Sequence, residues 1–390
     1  MESHPKPLKI ENIRAIKILG KGATGTLFLA HDRTTDPECT SPFALKVVEK
    51  SLFHHKQHSA VHRARWELSV LSSVNHHPYL PTLLGSFEID ELIGWAIPFC
   101  PGGDLNTLRY HQNDRVFSSS AIKFYLAQIV CALAHLHSMG IAYRDLKPEN
   151  VLVQSSGHVT LTDFDLSCRL KEHGIIPFRE LKPALPFRRN NLTRIIKYGS
   201  MAKTARVSPR RVSFADGKRS NSFVGTEEYV SPEVVRGEGH EFGVDWWALG
   251  VLAYEMLYGT TPFQGKNRKE TYRNVLTKRP EFLGKRTVLI DLIERLLEKD
   301  PNKRLGHFKG AEEIKEHEFF KGLRWDLLME VERPPFVPKS VEVYLSHLTK
   351  NVTFDVREYF RMLKVPHPPS PRRTLESLMK DDVDALLTEF

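Results

Sequence analysis

Cysteine is scarce in this chain and long apolar runs are missing, and both absences narrow the reading before any motif is considered. Four cysteines, Cys39, Cys100, Cys131 and Cys168, are scattered through 390 residues without a Cys-x-x-Cys pair. That spacing excludes a secretory disulfide framework and fits reduced thiols in a cytoplasmic or nuclear compartment. No stretch reaches the roughly 18 apolar residues that a spanning helix needs. Met1 to Ile10 mixes charge, His and Pro without the apolar core of a signal peptide. The expectation is a soluble chain with no transmembrane segment. Acids are outnumbered, 47 against 56 Lys and Arg, for a net charge of +9, which favours anionic partners without naming one. Much of the excess sits in one stretch without interleaved aromatics, so no dedicated nucleic-acid binding is expected. His54, His55, His58 and His62 cluster with no Cys or Asp set nearby and are read as surface residues, not metal ligands.

With 41% hydrophobic and 26% charged residues, the composition is that of an ordinary globular protein able to bury a sizeable core. From Ile13 to about Glu88, β-rich runs (Ala15–Leu19, Thr26–Ala30, Phe43–Val48) surround one helical stretch, His62–Val74. From about Asp104 the apolar period turns helical, as in Ala121–Met139, Asp245–Tyr258 and Val288–Leu297. The fold class is α+β, a small strand-built lobe followed by a larger helical one. Lys171–Asn221 breaks the pattern with 13 Lys or Arg against three acids and is read as a basic insertion. It fits a solvated loop, a nuclear or membrane address able to touch an acidic membrane surface, or a docking segment. Beyond residue 321, Arg333–Pro338 and His367–Arg373 suit an extended tail.

Gly20-Lys21-Gly22-Ala23-Thr24-Gly25 lies between two β-rich runs, where glycines let backbone approach phosphates. Alone this is a weak signal, since a turn between strands often holds glycine. Lys46, the one cation in the apolar run Phe43–Lys46, fits a phosphate contact paired with a helix acid, and Glu67 is the best placed partner. Tyr143-Arg144-Asp145-Leu-Lys147-Pro-Glu-Asn150 is far more specific. Asp145 would orient and deprotonate a substrate hydroxyl, Lys147 would neutralise the transferred phosphoryl, and Asn150 would hold Mg²⁺. Asp163-Phe164-Asp165 follows across an apolar strand and turn, with Asp163 as the second metal ligand. Asp165 stands where glycine is expected, which restricts flipping of this segment while leaving catalysis in place.

These motifs resemble a eukaryotic protein kinase from about Ile13 to Phe320, and Gly225–Glu233, Asp245–Gly250 and Arg304, as the partner of Glu233, extend the likeness. The resemblance implies a two-lobed kinase domain at 13–320, with an N-lobe at about 13–97, a hinge at 98–101 and a C-lobe at 102–320. A segment at 1–12 precedes it and a tail at 321–390 follows. It implies ATP and Mg²⁺, a nucleotide site taking in Leu19, Gly20, Lys21, Gly22, Ala23, Thr24, Gly25, Leu27, Ala44, Lys46, Pro98, Cys100, Asp104, Asn150 and Leu152, and Thr226 beside the catalytic centre. Pro98 keeps the carbonyl that adenine needs, and Cys100 would supply the N–H donor. Lys147 and Thr226 resemble serine/threonine kinases. The tail, with Pro334-Pro-Phe336, Phe354-Asp355 and Leu387–Phe390, resembles the AGC kinases. The Asp-Phe-Asp variant with the basic insertion resembles the plant branch of UNICORN-type and oxidative-signal-inducible kinases.

From that branch follow a preference for protein substrates with arginines before Ser or Thr, met by Asp104, Glu149 and Glu255, each of which could instead serve a helix cap or an exposed surface, and autophosphorylation at Ser213 and Ser222. A phosphate on Ser222 would pair with Arg144. Leu387–Phe390 would dock a phosphoinositide-dependent activating kinase, although Leu387 replaces the usual Phe. The competing reading is a catalytically weak kinase-fold scaffold, motivated by Tyr143 and Asp165.

Overall fold

The computed structural model describes residues 6–22, 25–34, 41–50, 57–74, 76–112, 114–170, 225–330, 332–346 and 353–364. In chain order these form β1 (Lys6–Pro7), β2 (Ile13–Gly22), β3 (Gly25–Asp32), β4 (Phe43–Glu49), α1 (Gln57–Ser73), β5 (Gly85–Glu88), β6 (Leu92–Pro98), α2 (Leu105–Tyr110) and α3 (Ser119–Ser138). Then come β7 (Ile141–Ala142), β8 (Val151–Val153), β9 (Val159–Leu161), β10 (Cys168–Arg169), α4 (Pro232–Arg236), α5 (Gly243–Tyr258), α6 (Arg268–Thr277) and α7 (Val288–Leu296). α8 (Ala311–Lys315), α9 (Val341–Ser346), β11 (Phe354–Asp355) and α10 (Val356–Lys364) complete the series. The elements group into two units, one of Met1–Ala64, Leu83–Phe99 and Val341–Phe390, the other of Arg65–Thr82 and Cys100–Ser340.

The first unit is built on a seven-stranded sheet in the order β1-β5-β6-β4-β3-β2-β11. β4 reads Phe-Ala-Leu-Lys-Val-Val-Glu, and every residue but Lys46 is buried, as expected of a central strand covered on both faces. Ile13 and Ala15 of β2, Phe28 of β3, and Leu45 and Val47 of β4 share one core with Val356 and Phe360 of α10. Residues 353–364 are therefore not extended tail. Val356 and Phe360 are four apart and fall on one helix face, and their burial outweighs the chain entropy that would otherwise leave the segment loose. β11 adds to the outer edge of β2, pairing Phe354 with Ala15 and Asp355 with Arg14. Of the segments that flank 13–320, Lys6–Pro7 pairs with β5, β11 pairs with β2, and α10 packs against the same sheet.

The second unit is mainly helical. α5 is buried from Val244 to Met256, and a helix that is apolar all round belongs in a core. Gly250 lets it approach α7, since a Cβ there would lie 2.8 Å from that of Leu296. α3 is long and apolar enough to cross a membrane by length and composition. Ile122, Leu126, Ile129, Leu133 and Leu136 are instead buried within the unit, and its first turn is capped by the Ser118 hydroxyl, which accepts from the Ala121 N–H at 3.3 Å. The antiparallel pairs β7–β10 and β8–β9 frame the segments that carry Asp145 and Asp163.

Candidate active site

The first unit carries the glycine-rich turn and Lys46. β2 and β3 run antiparallel through the pair Gly22–Gly25, while Ala23 and Thr24 lie outside the described residues. The three glycines have different reasons to be there. A Cβ on Gly20 or Gly22 would meet nothing within 4 Å, so packing leaves open space above this limb. Gly25 is fixed by the protein itself: its φ is +133° and a Cβ would sit 2.6 Å from the Val47 carbonyl oxygen. Lys46 is half-buried on β4 opposite Leu27 and Trp95, and its ammonium lies 5.6 Å from the Trp95 ring centroid. Ala44 neighbours it on the same strand, Leu19 precedes Gly20 on β2, and Pro98 ends β6 in register with Phe43.

The second unit holds the remaining site residues. Asp145 is 5% exposed and its carboxylate is gripped from three sides. Lys147 Nζ and Asn150 Nδ2 each donate to Oδ2 at 2.9 Å, and the Thr226 hydroxyl donates to Oδ1 at 3.1 Å. Asn150 Nδ2 also reaches the Asp145 carbonyl at 2.8 Å. Both amide protons of Asn150 are thereby committed, which leaves its Oδ1 as an acceptor. The Thr162 N–H donates to the Asn150 carbonyl at 3.0 Å, which brings Asp163 next to this cluster. Asp163 has φ +58°, so the left-handed residue of Asp163-Phe164-Asp165 is the first aspartate. Asp165 is not among the positive-φ residues, so the tolerance of Asp for that conformation operates at 163. Hard oxygen donors from an amide and a carboxylate fit Mg²⁺, which keeps much of its shell for water and phosphate oxygens.

Tyr143 opens the loop that carries Asp145 and anchors it through its own side chain. It is fully buried, its hydroxyl donates to the Thr162 carbonyl, and its ring meets Phe164 edge-on at 5.5 Å. Burial first, then the nearby carboxylates of Asp145, Asp163 and Asp245, hold the phenol well above its ordinary pKa, so it remains a donor. Phe164 is covered, and its carbonyl accepts from the Ser167 hydroxyl at 2.6 Å, which in turn accepts from Trp66 Nε1 at 2.9 Å. Glu67, the next residue of α1, is 3% exposed.

One positioning residue escaped the sequence reading. Asp245, at the start of α5 and wholly buried, accepts the Tyr143 N–H at 2.9 Å, the Arg144 N–H at 2.7 Å and His137 Nε2 at 2.8 Å. It thus holds the catalytic loop, whose Arg144 has φ +68°. The signal was present as an acid heading an otherwise apolar helix. Arg304 and Glu233 form the expected pair, bidentate at 2.7 and 2.9 Å and almost completely buried.

The acids assigned to substrate arginines differ in availability. Asp104 caps α2, accepting the Thr107 N–H at 2.7 Å and the Thr107 hydroxyl at 3.1 Å. Its backbone also bridges to Leu152. Glu255 is buried, accepts a hydrogen bond from the Tyr229 hydroxyl and pairs with Arg109 at 3.0 Å. Burial raises its pKa; Tyr229 and Arg109 counter this, while Glu149 and Glu228 add to it. Glu149 is exposed. Cys100 is half-buried, and desolvation pushes its thiol up to about 12, which favours the neutral thiol. Ser213, Ser222, the basic insertion and Leu387–Phe390 lie outside the described residues.

Residues 13–320 match the family described as Protein kinase domain. The chain is 55% identical over 387 residues to the serine/threonine-protein kinase UCN of Arabidopsis thaliana, covering 95% of each. It is 56% identical over 393 residues to the serine/threonine-protein kinase UCNL of that plant, covering 95% of this chain and 94% of the relative. To the serine/threonine-protein kinase OXI1, also of Arabidopsis thaliana, it is 43% identical over 355 residues, with coverage of 86% and 81%. The chain therefore belongs to the protein kinase family, as a serine/threonine protein kinase that uses ATP and a divalent metal and resembles the plant AGC kinases UCN, UCNL and OXI1.

Proposed function

We propose that this kinase transfers the γ-phosphate of Mg-ATP to Ser or Thr preceded by arginines at the second and third positions, and that it phosphorylates itself at Ser213 and Ser222. The observation that carries the catalytic part is the triply held Asp145. Its carboxylate takes the proton from the acceptor hydroxyl, and Lys147, 2.9 Å from it, neutralises charge on the group in flight. Asn150 and Asp163 hold the divalent ion, which when bound screens phosphate charge. The Gly20–Gly25 turn and Lys46 take the phosphates, with Glu67 orienting Lys46. Leu19, Leu27, Ala44, Pro98, Cys100 and Leu152 take the adenine end.

The exposed Glu149, with the buried Glu255 near it, supports the arginine preference. Glu255 already meets Arg109, but a carboxylate has about four acceptor positions, so a substrate arginine shares it rather than displacing a neighbour. Glu149 is exposed and makes the first contact. A phosphate on Ser222 orders the activation segment by pairing with Arg144, Leu387–Phe390 recruits the activating kinase, and the protein acts in the cytoplasm with a nuclear share, in growth or stress signalling. Asp165 slows flipping of the metal-binding segment without stopping transfer.

The test is ³²P transfer from Mg-ATP to an Arg-Arg-x-Ser peptide, an Ala-Ala-x-Ser control and the chain itself, by wild type, Asp163→Ala and Glu149→Ala. Transfer to the arginine peptide that vanishes in Asp163→Ala and weakens in Glu149→Ala supports the reading. Equal rates on both peptides would reject the arginine preference, and no transfer by a folded, Ser222-phosphorylated sample would favour the scaffold.

A further inference from the structure

The limb of β2 that enters the glycine-rich turn is poorly fixed by its own hairpin. β2 and β3 lose register between Ala15 and Lys17 and again between Ile18 and Gly20, and Gly20, Lys21 and Gly22 are exposed. A slipping, glycine-bearing strand is weakly specified by pairing alone. The other side of this strand is supported by residues more than 330 positions later. β11 pairs with β2 at Ala15 and Arg14, and one carboxylate joins two jobs there. Asp355 Oδ2 takes Arg14 Nη1 at 2.7 Å, while Oδ1 caps α10 by accepting the Glu358 N–H at 3.0 Å. The helix so launched buries Val356 and Phe360 in the sheet core. Its Tyr359 ring stands edge-on to Phe28 at 5.4 Å, and Phe28 faces Ile18 across the hairpin. From the same ring, Lys21 Nζ is 5.1 Å from the centroid, within cation–π range. At the far end of the helix, Lys364 lies 3.5 Å from the buried Glu49 of β4. The brace therefore touches the sheet at both ends and the glycine turn in the middle.

We propose that Tyr359 is a positioning residue for nucleotide binding: held by β11 and α10 against the edge of β2, its ring sets the position of Lys21 and with it the Gly20–Gly22 limb. The role needs the ring and the cation, not the phenol, whose buried hydroxyl has no hydrogen-bond partner among the described residues. Free energy from one exposed cation–π contact and one edge-on aromatic pair corresponds to about threefold to tenfold in affinity. It falls on nucleotide binding and not on the chemical step, because Asp145 and Lys147 belong to another part of the chain. The proposal rests on the reading that the Gly20–Gly25 turn takes the nucleotide phosphates.

The full-length protein is titrated with ADP by calorimetry and assayed for KM of ATP and kcat on the arginine peptide, as wild type, Tyr359→Leu, Tyr359→Phe, Lys21→Met and the Lys21→Met/Tyr359→Leu double variant. Tyr359→Leu is expected to weaken ADP binding and raise KM about threefold to tenfold with kcat within twofold, Tyr359→Phe to match wild type, and the double variant to be no weaker than Lys21→Met alone. Asp355→Ala, which detaches the helix cap from the sheet edge without touching the ring, is expected to shift KM in the same direction. Unchanged ADP affinity in Tyr359→Leu, additive effects in the double variant, or a fall in kcat and melting temperature at constant KM would overturn the positioning role. Should Tyr359→Leu fail to fold, an unchanged KM in Asp355→Ala overturns it equally. Absence of ADP binding by wild type would instead overturn the nucleotide reading of the turn.

Discussion

The hydroxyl of Thr226 donates to Oδ1 of Asp145 at 3.1 Å, joining the segment that follows Gly225 to the carboxylate we propose as the base. Gly225 makes the junction possible: its φ is +110° and a Cβ would press on the Arg144 carbonyl oxygen at 3.2 Å. With Lys147 and Asn150 on Oδ2, the Thr226 bond fixes the rotation of the carboxyl group about its own axis.

Thr226→Val keeps the shape and removes that donor. A hydrogen bond to a charged group contributes roughly 1.5–3 kcal/mol, so kcat should fall about tenfold to a hundredfold while KM for ATP stays near its original value. Thr226→Ser should restore most of the rate. Steady-state kinetics of the three forms decide it, and a valine variant as fast as wild type would mean that Lys147 and Asn150 orient Asp145 unaided.

Tyr143→Phe isolates the hydroxyl that serves the Thr162 carbonyl. The ring contact with Phe164 survives, and the buried carbonyl loses its donor, at about 1–3 kcal/mol of stability. Denaturant unfolding should show a lower midpoint with an unchanged slope. An unchanged midpoint would show that a water replaces the phenol.

How much of this was legible in the sequence depends on how local each signal is. Asp145, Lys147 and Asn150 lie within six positions, so one loop brings them together and their spacing carries the chemistry. The helices of the second unit declared themselves by apolar period, and the strands of the first by β-branched runs. Asp245 was missed as a positioning residue because its partners, Tyr143 and Arg144, are about a hundred positions away, and no periodicity encodes such a bond. The brace was missed for a similar reason. Val356 and Phe360 have helical spacing, but a helix of nine residues is too short to hold without packing, and its packing surface is a sheet encoded at the other end of the chain. Asp104 was read for its charge with a helix cap as the alternative, and the cap on Thr107, three positions on, is the more local signal.

The buried pair of Arg304 and Glu233 supplies a stability prediction of larger size. Arg304 Nε also donates to the Glu298 carbonyl at 2.9 Å and Nη1 to the Gly243 carbonyl at 2.8 Å, so the guanidinium ties α4 and the start of α5 to the segment after α7. Arg304→Met leaves a buried carboxylate without its cation and should destabilise by about 3–5 kcal/mol. Adding Glu233→Gln should recover part of that loss. Calorimetric melting of the single and double variants checks it. A double variant no more stable than Arg304→Met would assign the loss to the two carbonyls instead of to the unpaired acid.

Stability should also depend on His240. Its side chain is 3% exposed, Nε2 stands 3.4 Å from Arg144 Nη1, and burial first, then the guanidinium charge, lowers its pKa from 6.5 to about 4. The unfolded chain therefore binds the proton more readily than the folded one between these two values. Stability from this group is complete above pH 6.5, falls as the pH drops through the window and is exhausted near pH 4, a loss on the order of 3 kcal/mol. His77, lowered to about 4 chiefly by burial, contributes in the same direction but is less enclosed, so the comparison must be made at one site. Wild type and His240→Gln unfolded in urea at pH 7.5, 6.0 and 5.0 should diverge at pH 7.5 by the lost packing and converge as the pH falls, because only wild type must protonate a buried imidazole beside Arg144. Parallel curves across the three pH values would show that the imidazole takes its proton in the folded state as easily as in water.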